Sequence, residues 1–280
     1  IVGYLQTQTR LKNRHGEIVN FDPAQIHIWR EITEVPRTAT SGAPFSIRVR
    51  EIELAANKTW QAKEEVFVGD WLFRADVGIT RRANSALILS NENHIDEAIT
   101  WYRSRDLVPT ISLVPTLHEE IDEELSRRGF KKLLDLDVMV KDKLGEKPDF
   151  AYQVAAEPDS QWLSVHGDEK IAPLLQRSKS KYLAYFEGGK LKAIGRTSTS
   201  DGWSVISRIW VAEEFRGAGL GRKMLAALEF ESDSDKLALQ VATDNQVAIK
   251  LYESAGYKLH HTGRFRALSP QINLSQDCQC

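Results

Sequence analysis

The densest chemistry in this sequence lies between Val205 and Met224. An apolar run, Val205-Ile206-Ser207-Arg208-Ile209-Trp210-Val211, leads into Arg216-Gly217-Ala218-Gly219-Leu220-Gly221, and Arg222-Lys223-Met224 follow directly. Glycines at alternate positions let backbone amides turn toward one point, and a helix starting there adds its unpaired first-turn N–H groups and the positive end of its dipole. Such a loop suits an anion such as a pyrophosphate, and Arg216, Arg222 and Lys223 add charge at its mouth. Spacing excludes two common phosphate loops. A P-loop needs Lys-Ser/Thr after its last glycine, whereas Gly221 is followed by Arg222-Lys223-Met224; a dinucleotide fingerprint needs a glycine three residues after Gly219, where Arg222 stands.

After one further strand comes Asn245-Gln246-Val247-Ala248-Ile249-Lys250-Leu251-Tyr252-Glu253-Ser254-Ala255-Gly256-Tyr257. Arg-x-x-Gly-x-Gly followed by Asn, a Leu-Tyr pair on a helix, then Gly and an aromatic resembles the GNAT family of acetyl-CoA-dependent N-acetyltransferases. The resemblance implies that Ile209, Trp210 and Val211 offer backbone groups to the pantetheine arm of acetyl-CoA. It also implies that Arg216, Gly217, Ala218, Gly219, Leu220 and Gly221 cradle the pyrophosphate with Arg222 beside them, and that Asn245 contacts the cofactor arm. Tyr252 would be the general acid that protonates the departing thiolate. That role is chemically reasonable, because a thiol of pKa ~8.5 needs only modest help to leave.

The acceptor amine, with a pKa near ~10, must lose a proton before it attacks. Many relatives carry a glutamate on the strand before the loop, but 204–211 holds no carboxylate and Trp210 stands at its expected position. Glu213 and Glu214 fall on the loop and read as solvated. A water chain, His260, His261 or a carboxylate from the first half remain as alternatives, and no base is assigned.

The elements that must position these residues follow from periodicity. Strands are expected at 66–68, 71–73, 86–89, 133–140, 204–211 and 237–241, with a hairpin 182–195 turning at Gly188-Gly189. Helices are expected at 45–57, at 95–102 and after Thr116, where Thr116-Leu117-His118-Glu119 has capping-box form and leaves His118 exposed in the first turn. Others are expected at 171–177, after Gly221, and from Asn245 to Ala255. An offset of 127 residues pairs Gly129 with Gly256, Leu125 with Tyr252 and His118 with Asn245, suggesting an internal repeat. The first copy lacks the glycine loop and is not expected to bind acetyl-CoA. Residues 1–36 alternate short apolar runs with turns, including Ile26-His27-Ile28-Trp29, and read as a small β-barrel-like piece. The fold class is therefore α+β: tandem GNAT-like halves with mixed, mostly antiparallel sheets behind a small barrel-like segment. The expected divisions are 1–36, a degenerate half at 45–143, the acetyltransferase half at 150–268 and a polar tail at 269–280.

The stretch 71–85 resembles that of a GNAT subfamily in which an SH3-like barrel precedes two GNAT-like halves, a subfamily that includes an N-acetylglutamate synthase. Arg81, Arg82 and Asn84 could then line an acceptor cleft, since guanidinium forks suit carboxylates, or could equally face water at a strand end. Arg264 and Arg266 face the same choice, while Trp101 and Tyr102 read as packing.

Composition bounds the rest. With 280 residues, 42% hydrophobic and 27% charged, the chain is a globular protein of about two domains. A net charge of -2 gives no bulk attraction for nucleic acid. Cys278 and Cys280 close the chain in a polar tail without zinc spacing, so neither a disulfide framework nor a metal site is expected. No apolar run suffices for a membrane span, and the expected compartment is the cytoplasm. The chain begins at Ile1, so an N-terminal piece is expected to have been lost. The function expected is direct transfer of acetyl to a primary amine of a small molecule, with an amino acid such as glutamate as the narrower candidate. A non-catalytic acetyl-CoA-binding protein and a protein N-terminal or lysine acetyltransferase are the alternatives.

Overall fold

In the computed structural model, residues 3–13, 17–26, 37–76, 80–144 and 147–268 are described. The apolar run Ile26-His27-Ile28-Trp29 lies outside them beyond Ile26, as does the tail with Cys278 and Cys280. Contacts divide the chain into Ile1–Pro36 and Arg37–Cys280. The first unit carries three antiparallel strands in sequential order, β1 (Gly3–Thr7), β2 (Arg10–Asn13) and β3 (Ile18–Asn20), a small sheet that fits the barrel-like piece.

The second unit opens with α1 (Phe45–Lys58), β4 (Glu64–Val68), β5 (Trp71–Ala75), β6 (Ala86–Ile88), α2 (Ile95–Arg103), β7 (Thr110–Leu113), α3 (Glu119–Arg127) and β8 (Lys131–Asp142). It continues with β9 (Gln153–Ala155), α4 (Ser160–Ser164), α5 (Ala172–Gln176), β10 (Ser180–Glu187), β11 (Lys190–Ser200), β12 (Trp203–Val211), α6 (Leu220–Glu231), β13 (Lys236–Ala242), α7 (Gln246–Ser254) and β14 (Lys258–Ala267). All these strands form one sheet in the order β4-β5-β6-β7-β14-β8-β13-β12-β11-β10-β9.

The two segments of this unit repeat one connectivity. Two antiparallel neighbours are followed by a parallel pair, β6 with β7 in the first segment and β12 with β13 in the second. Helices α3 and α7 are both nine residues long and stand 127 residues apart. Each ends at a glycine in the left-handed region, Gly129 at φ +87° and Gly256 at φ +93°, where a side chain would be strained. The last strand of each segment is lodged within the other: β14 pairs with β7, and β8 pairs with β13 and β14. Neither segment's sheet is therefore complete without the other.

The sheet carries its helices on both faces because its strands have apolar residues on both. Met224, Leu225 and Leu228 of α6 and Ala248 and Tyr252 of α7 pack on Leu183, Ala193, Ile206, Leu239 and Val241. Each fully buried aliphatic in such a cluster contributes about 1.5–3 kcal/mol. The approach is close: a Cβ on Gly195 of β11 would lie 2.5 Å from Leu228 Cδ1. On the opposite face, α1 lays Ile52 and Ala55 over Val138, Val140, Trp203 and Ala238.

One local expectation fails. Helix α3 starts at Glu119, and His118 is 4% exposed rather than an exposed first-turn residue. The turn after β7 folds back, with the Leu117 and His118 amides donating to Val114 O, and this carries the imidazole inward until its Nδ1 accepts the Val114 N–H at 3.2 Å. No side-chain cap forms at that helix start.

Candidate active site

Strands β12 and β13 pair over three positions only, Ser204 with Leu237, Val205 with Ala238 and Ile206 with Leu239, after which β12 runs on to Val211 and β13 to Ala242. The divergence has a cause in β12. Its register with β11 shifts between Ile194 and Arg196, and in this bulge Arg208 adopts φ +57°, a conformation costing a non-glycine residue about 1–3 kcal/mol. The Arg208 guanidinium holds it there, ion-paired with Asp168 at 3.0 Å with both side chains nearly excluded from water, 5% and 6% exposed. Past the bulge, Ile209, Trp210 and Val211 lie half-buried at the edge of the divergence, with Trp210 packed against the cluster around Trp60 and Trp162.

From Val211 the chain passes through one short turn and reaches Arg216, Gly217, Ala218 and Gly219, all exposed. Gly217 and Gly219 have φ +77° and +81° with nothing near where a Cβ would stand, so glycine is required here for backbone conformation rather than for space. Gly219 is the N-cap of α6 and supplies no side-chain cap, and the first turn of α6 carries no acidic residue. The amides of the first turn of α6 are thus left without a side-chain cap, an arrangement that suits an anion. Arg216 Nε donates to Val211 O at 3.2 Å and Arg222 Nη1 to Ser254 Oγ at 2.9 Å, fixing both charges beside the loop. The corresponding start of α2 has Asp96 and Glu97 in its first turn, which would repel a phosphate.

Tyr252 is 2% exposed, on the face of the sheet that α6 covers. Asn245 caps α7, its Oδ1 accepting from Ala248 N at 3.1 Å. Glu213 and Glu214 are exposed, and Glu214 pairs with Lys192 at 3.0 Å. Among the first-half residues, Arg82 reaches β13 and donates to Gln240 Oε1. Asn84 is turned into its own loop, donating to Thr80 O at 2.7 Å and accepting from Asp76 N at 2.8 Å, while Arg81 is half-buried at the start of that turn. Arg264 and Arg266 pair with Asp122 of α3, and Arg264 also with Asp135.

The structure adds groupings that sequence reasoning missed. Three guanidiniums surround one indole: those of Arg82, Arg196 and Arg208 lie 5.5, 5.3 and 5.1 Å from the Trp60 ring. Glu53 of α1 shares the Val49–Ala56 side of that helix, and its Oε1 lies 3.0 Å from His261 Nε2 and 3.3 Å from Gln240 Nε2. Burial pushes the Glu53 carboxyl up, but the hydrogen bond and charge of His261 with the charges of Arg82 and Arg74 outweigh it, and the group stays below its usual range. A carboxylate on the buried stripe of an amphipathic helix was the available signal.

Burial pushes His118, His166 and His260 each down to about 4, aided by Arg208 at His166 and by His261 and Arg48 at His260. In the unfolded chain these imidazoles titrate near ~6.5, so on acidification the unfolded state takes up protons before the folded state does. Their contribution to stability is full above ~6.5 and is lost as the pH falls toward ~4. Melting temperatures measured between about pH 7 and about pH 5 should therefore fall steadily, and His118→Gln should flatten that slope; a flat wild-type profile would contradict the burial of these rings.

The diverging strands, the bulge and the exposed glycine loop at a helix start define a GNAT-type N-acetyltransferase. The chain belongs to the family described as "Probable histone acetyltransferase Rv0428c C-terminal", whose model matches residues 46–266. Among curated proteins it is 27% identical over 233 residues to "Uncharacterized N-acetyltransferase YobR" of Bacillus subtilis, covering 75% of this chain and 94% of that one. It is also 27% identical over 266 residues to "Probable histone acetyltransferase Rv0428c" of Mycobacterium tuberculosis, covering 91% and 83%. Among solved structures, a GCN5-related N-acetyltransferase from Kribbella flavida shares the fold with a TM-score of 0.63 at 14% identity, covering 80% of this chain and 96% of that one. A tandem GNAT protein from the clavulanic acid biosynthesis pathway does so with a TM-score of 0.53 at 13% identity, covering 85% and 91%. No described helix is long and apolar enough to cross a membrane, and no described cluster of His, Cys, Asp and Glu could hold a metal.

Proposed function

We propose that this protein transfers acetyl from acetyl-CoA directly to the primary amine of a small molecule. The observation that carries the reading is the exposed glycine loop at the start of α6, placed where β12 and β13 part. The residues present fit the cofactor: left-handed glycines, free first-turn amides, Arg216 and Arg222 at the rim and no competing carboxylate on that turn. Bound acetyl-CoA supplies an activated thioester. The loop orients its pyrophosphate, the edge of β12 at Ile209, Trp210 and Val211 lines the arm, and Tyr252 donates a proton to the leaving sulfur. The repeated connectivity and the 127-residue offset support the reading of the second unit as tandem GNAT-like halves, of which only the second retains the loop.

A small acceptor is favoured because the polar recess on the α1 face, lined by Glu53, Arg74, Arg82 and Gln240, lies beneath a helix and, at about 20 Å³, has room for an amino group and little more. Glutamate is the narrower candidate, supported by the subfamily resemblance. A second reading, acetylation of a protein lysine or N-terminus, is favoured by the name of the mycobacterial relative.

Calorimetry should show acetyl-CoA binding with a Kd below about 1 mM, roughly 4 kcal/mol, weakening as salt screens the loop. Thiol release with glutamate and with a lysine peptide then separates the acceptors. Absence of cofactor binding at millimolar concentration would overturn the enzymatic reading.

A further inference from the structure

The acceptor's proton needs a destination, and β12 supplies no carboxylate for it. The place to look is the point where β12 and β13 separate, on the face away from α6 and α7. Leu239 is the last β13 residue paired with β12, and the next residue, Gln240, points to the α1 face. Across the sheet Gln240 is level with Val138 of β8, and Val138 is level with His261 of β14. Gln240 and His261 therefore flank Val138, and Glu53 comes down from α1 to touch both, 3.3 Å from the amide and 3.0 Å from the imidazole. The Glu53 side chain is 12% exposed and lines the recessed cavity; that of His261 is fully covered.

The groups facing Glu53 from the surrounding elements are His261 of β14, Arg82 of the turn before β6 and Arg74 of β5. Arg74 is occupied by Asn57 Oδ1, Ser85 O and Ser85 Oγ. Arg82 is spent on Gln240 and stands over Trp60. His261 has a further neighbour: its Nδ1 lies 2.8 Å from Nδ1 of His260, so one ring donates to the other. The His261 Nε2–H faces the Glu53 carboxylate, the contact that holds that carboxyl below its usual range.

Resting on the acetyltransferase reading above, we infer that Glu53 receives the acceptor's ammonium group and takes its proton, with His261 as the positioning residue that holds the carboxylate in place. The ammonium N–H bond breaks and the proton goes to the Glu53 carboxylate. The freed nitrogen lone pair forms the C–N bond as the C–S bond breaks, and the nitrogen, made strongly acidic by the new bond, releases its second proton to solvent. The sulfur leaves as a thiolate that takes its own proton on the opposite side of the sheet.

Two small amines test this, because they differ in needing a base. Ethylamine is protonated at neutral pH, whereas hydroxylamine is already largely free base. With acetyl-CoA saturating, Glu53→Gln should lose about 10²-fold or more of turnover on ethylamine and less than about 3-fold on hydroxylamine. The ethylamine deficit should shrink as the pH rises toward the amine's own pKa of ~10. His261→Asn should show a smaller deficit of the same kind and move the acidic limb of the pH–rate profile. Equal losses on both amines at every pH, or an unaffected Glu53→Gln enzyme, would overturn the assignment while leaving the acetyltransferase reading intact. Failure of the wild-type protein on both amines despite bound acetyl-CoA would instead overturn the reading and this inference with it. Calorimetry with acetyl-CoA checks that each variant is folded.

Discussion

Asp168→Ala should destabilise the second unit by about 3–5 kcal/mol, the range found when one member of a buried ion pair is removed. Arg208 would keep its charge, 5% exposed, with no carboxylate at 3.0 Å to balance it. Its neighbours make matters worse. Arg196 is fully buried, has no carboxylate within ion-pair distance among the described residues, and is held by Thr59 O and the hydroxyls of Ser178 and Ser180. Its guanidinium is already disfavoured by burial and by the charges of Arg208 and Arg82. The measurement is the urea midpoint at constant m-value. Asp168→Asn, which keeps an acceptor near Arg208, should lose less. Asp168→Ala combined with Arg208→Met should recover part of the loss, because the uncompensated charge is gone. A single-variant loss under about 1 kcal/mol would mean that water reaches the cluster.

The same variant bears on function. The bulge at Arg208 carries β12 away from β13, so the strained backbone and the cleft have one origin. Releasing Arg208 should let φ relax and shift Ile209, Trp210 and Val211, weakening acetyl-CoA binding as well as stability. A loss of stability with cofactor affinity unchanged would separate the ion pair from the shape of the cleft.

Which of these features could be read in the sequence depends on whether their causes are local. The glycine loop, the hairpin at Gly188-Gly189 and the helix ending at Gly256 are set by backbone conformations within a few residues, and each stands where its residues predict. The 127-residue offset was legible for the same reason: a helix stop and an aromatic recur as one local pattern. His118 shows the limit. Thr116-x-x-Glu119 has capping-box form, but a turn from Val114 competes for the same residues and wins by satisfying a buried amide. The lodging of β8 and β14 in each other's segment leaves no periodic trace, because alternation along a strand marks its faces and not the neighbours it pairs with. Glu53 with His261, and Arg208 with Asp168, join residues distant in sequence. Nothing local in the sequence pairs them, and only the folded chain supplies the partners.

Tyr252→Phe should lower turnover by at least about 10²-fold while acetyl-CoA binds within about 3-fold of wild type. The ring is packed among residues of α6, α7 and β13 and meets Tyr257 edge-on at 6.1 Å, interactions that phenylalanine keeps. The hydroxyl is what changes, and it belongs to the face of the sheet that α6 covers. Glu53 reaches the other face from α1. An amine arriving from the α1 side would thus attack through the gap between β12 and β13 while the sulfur leaves on the α6 side, so base and acid need never exchange a proton directly. The two variants should accordingly separate by pH. The Glu53→Gln deficit closes near the amine's pKa of ~10, whereas the Tyr252→Phe deficit closes near ~8.5, above which the departing thiolate needs no proton. A Tyr252→Phe protein with undiminished turnover would remove the phenol from the chemistry, and one whose deficit ignored pH would make it a packing residue.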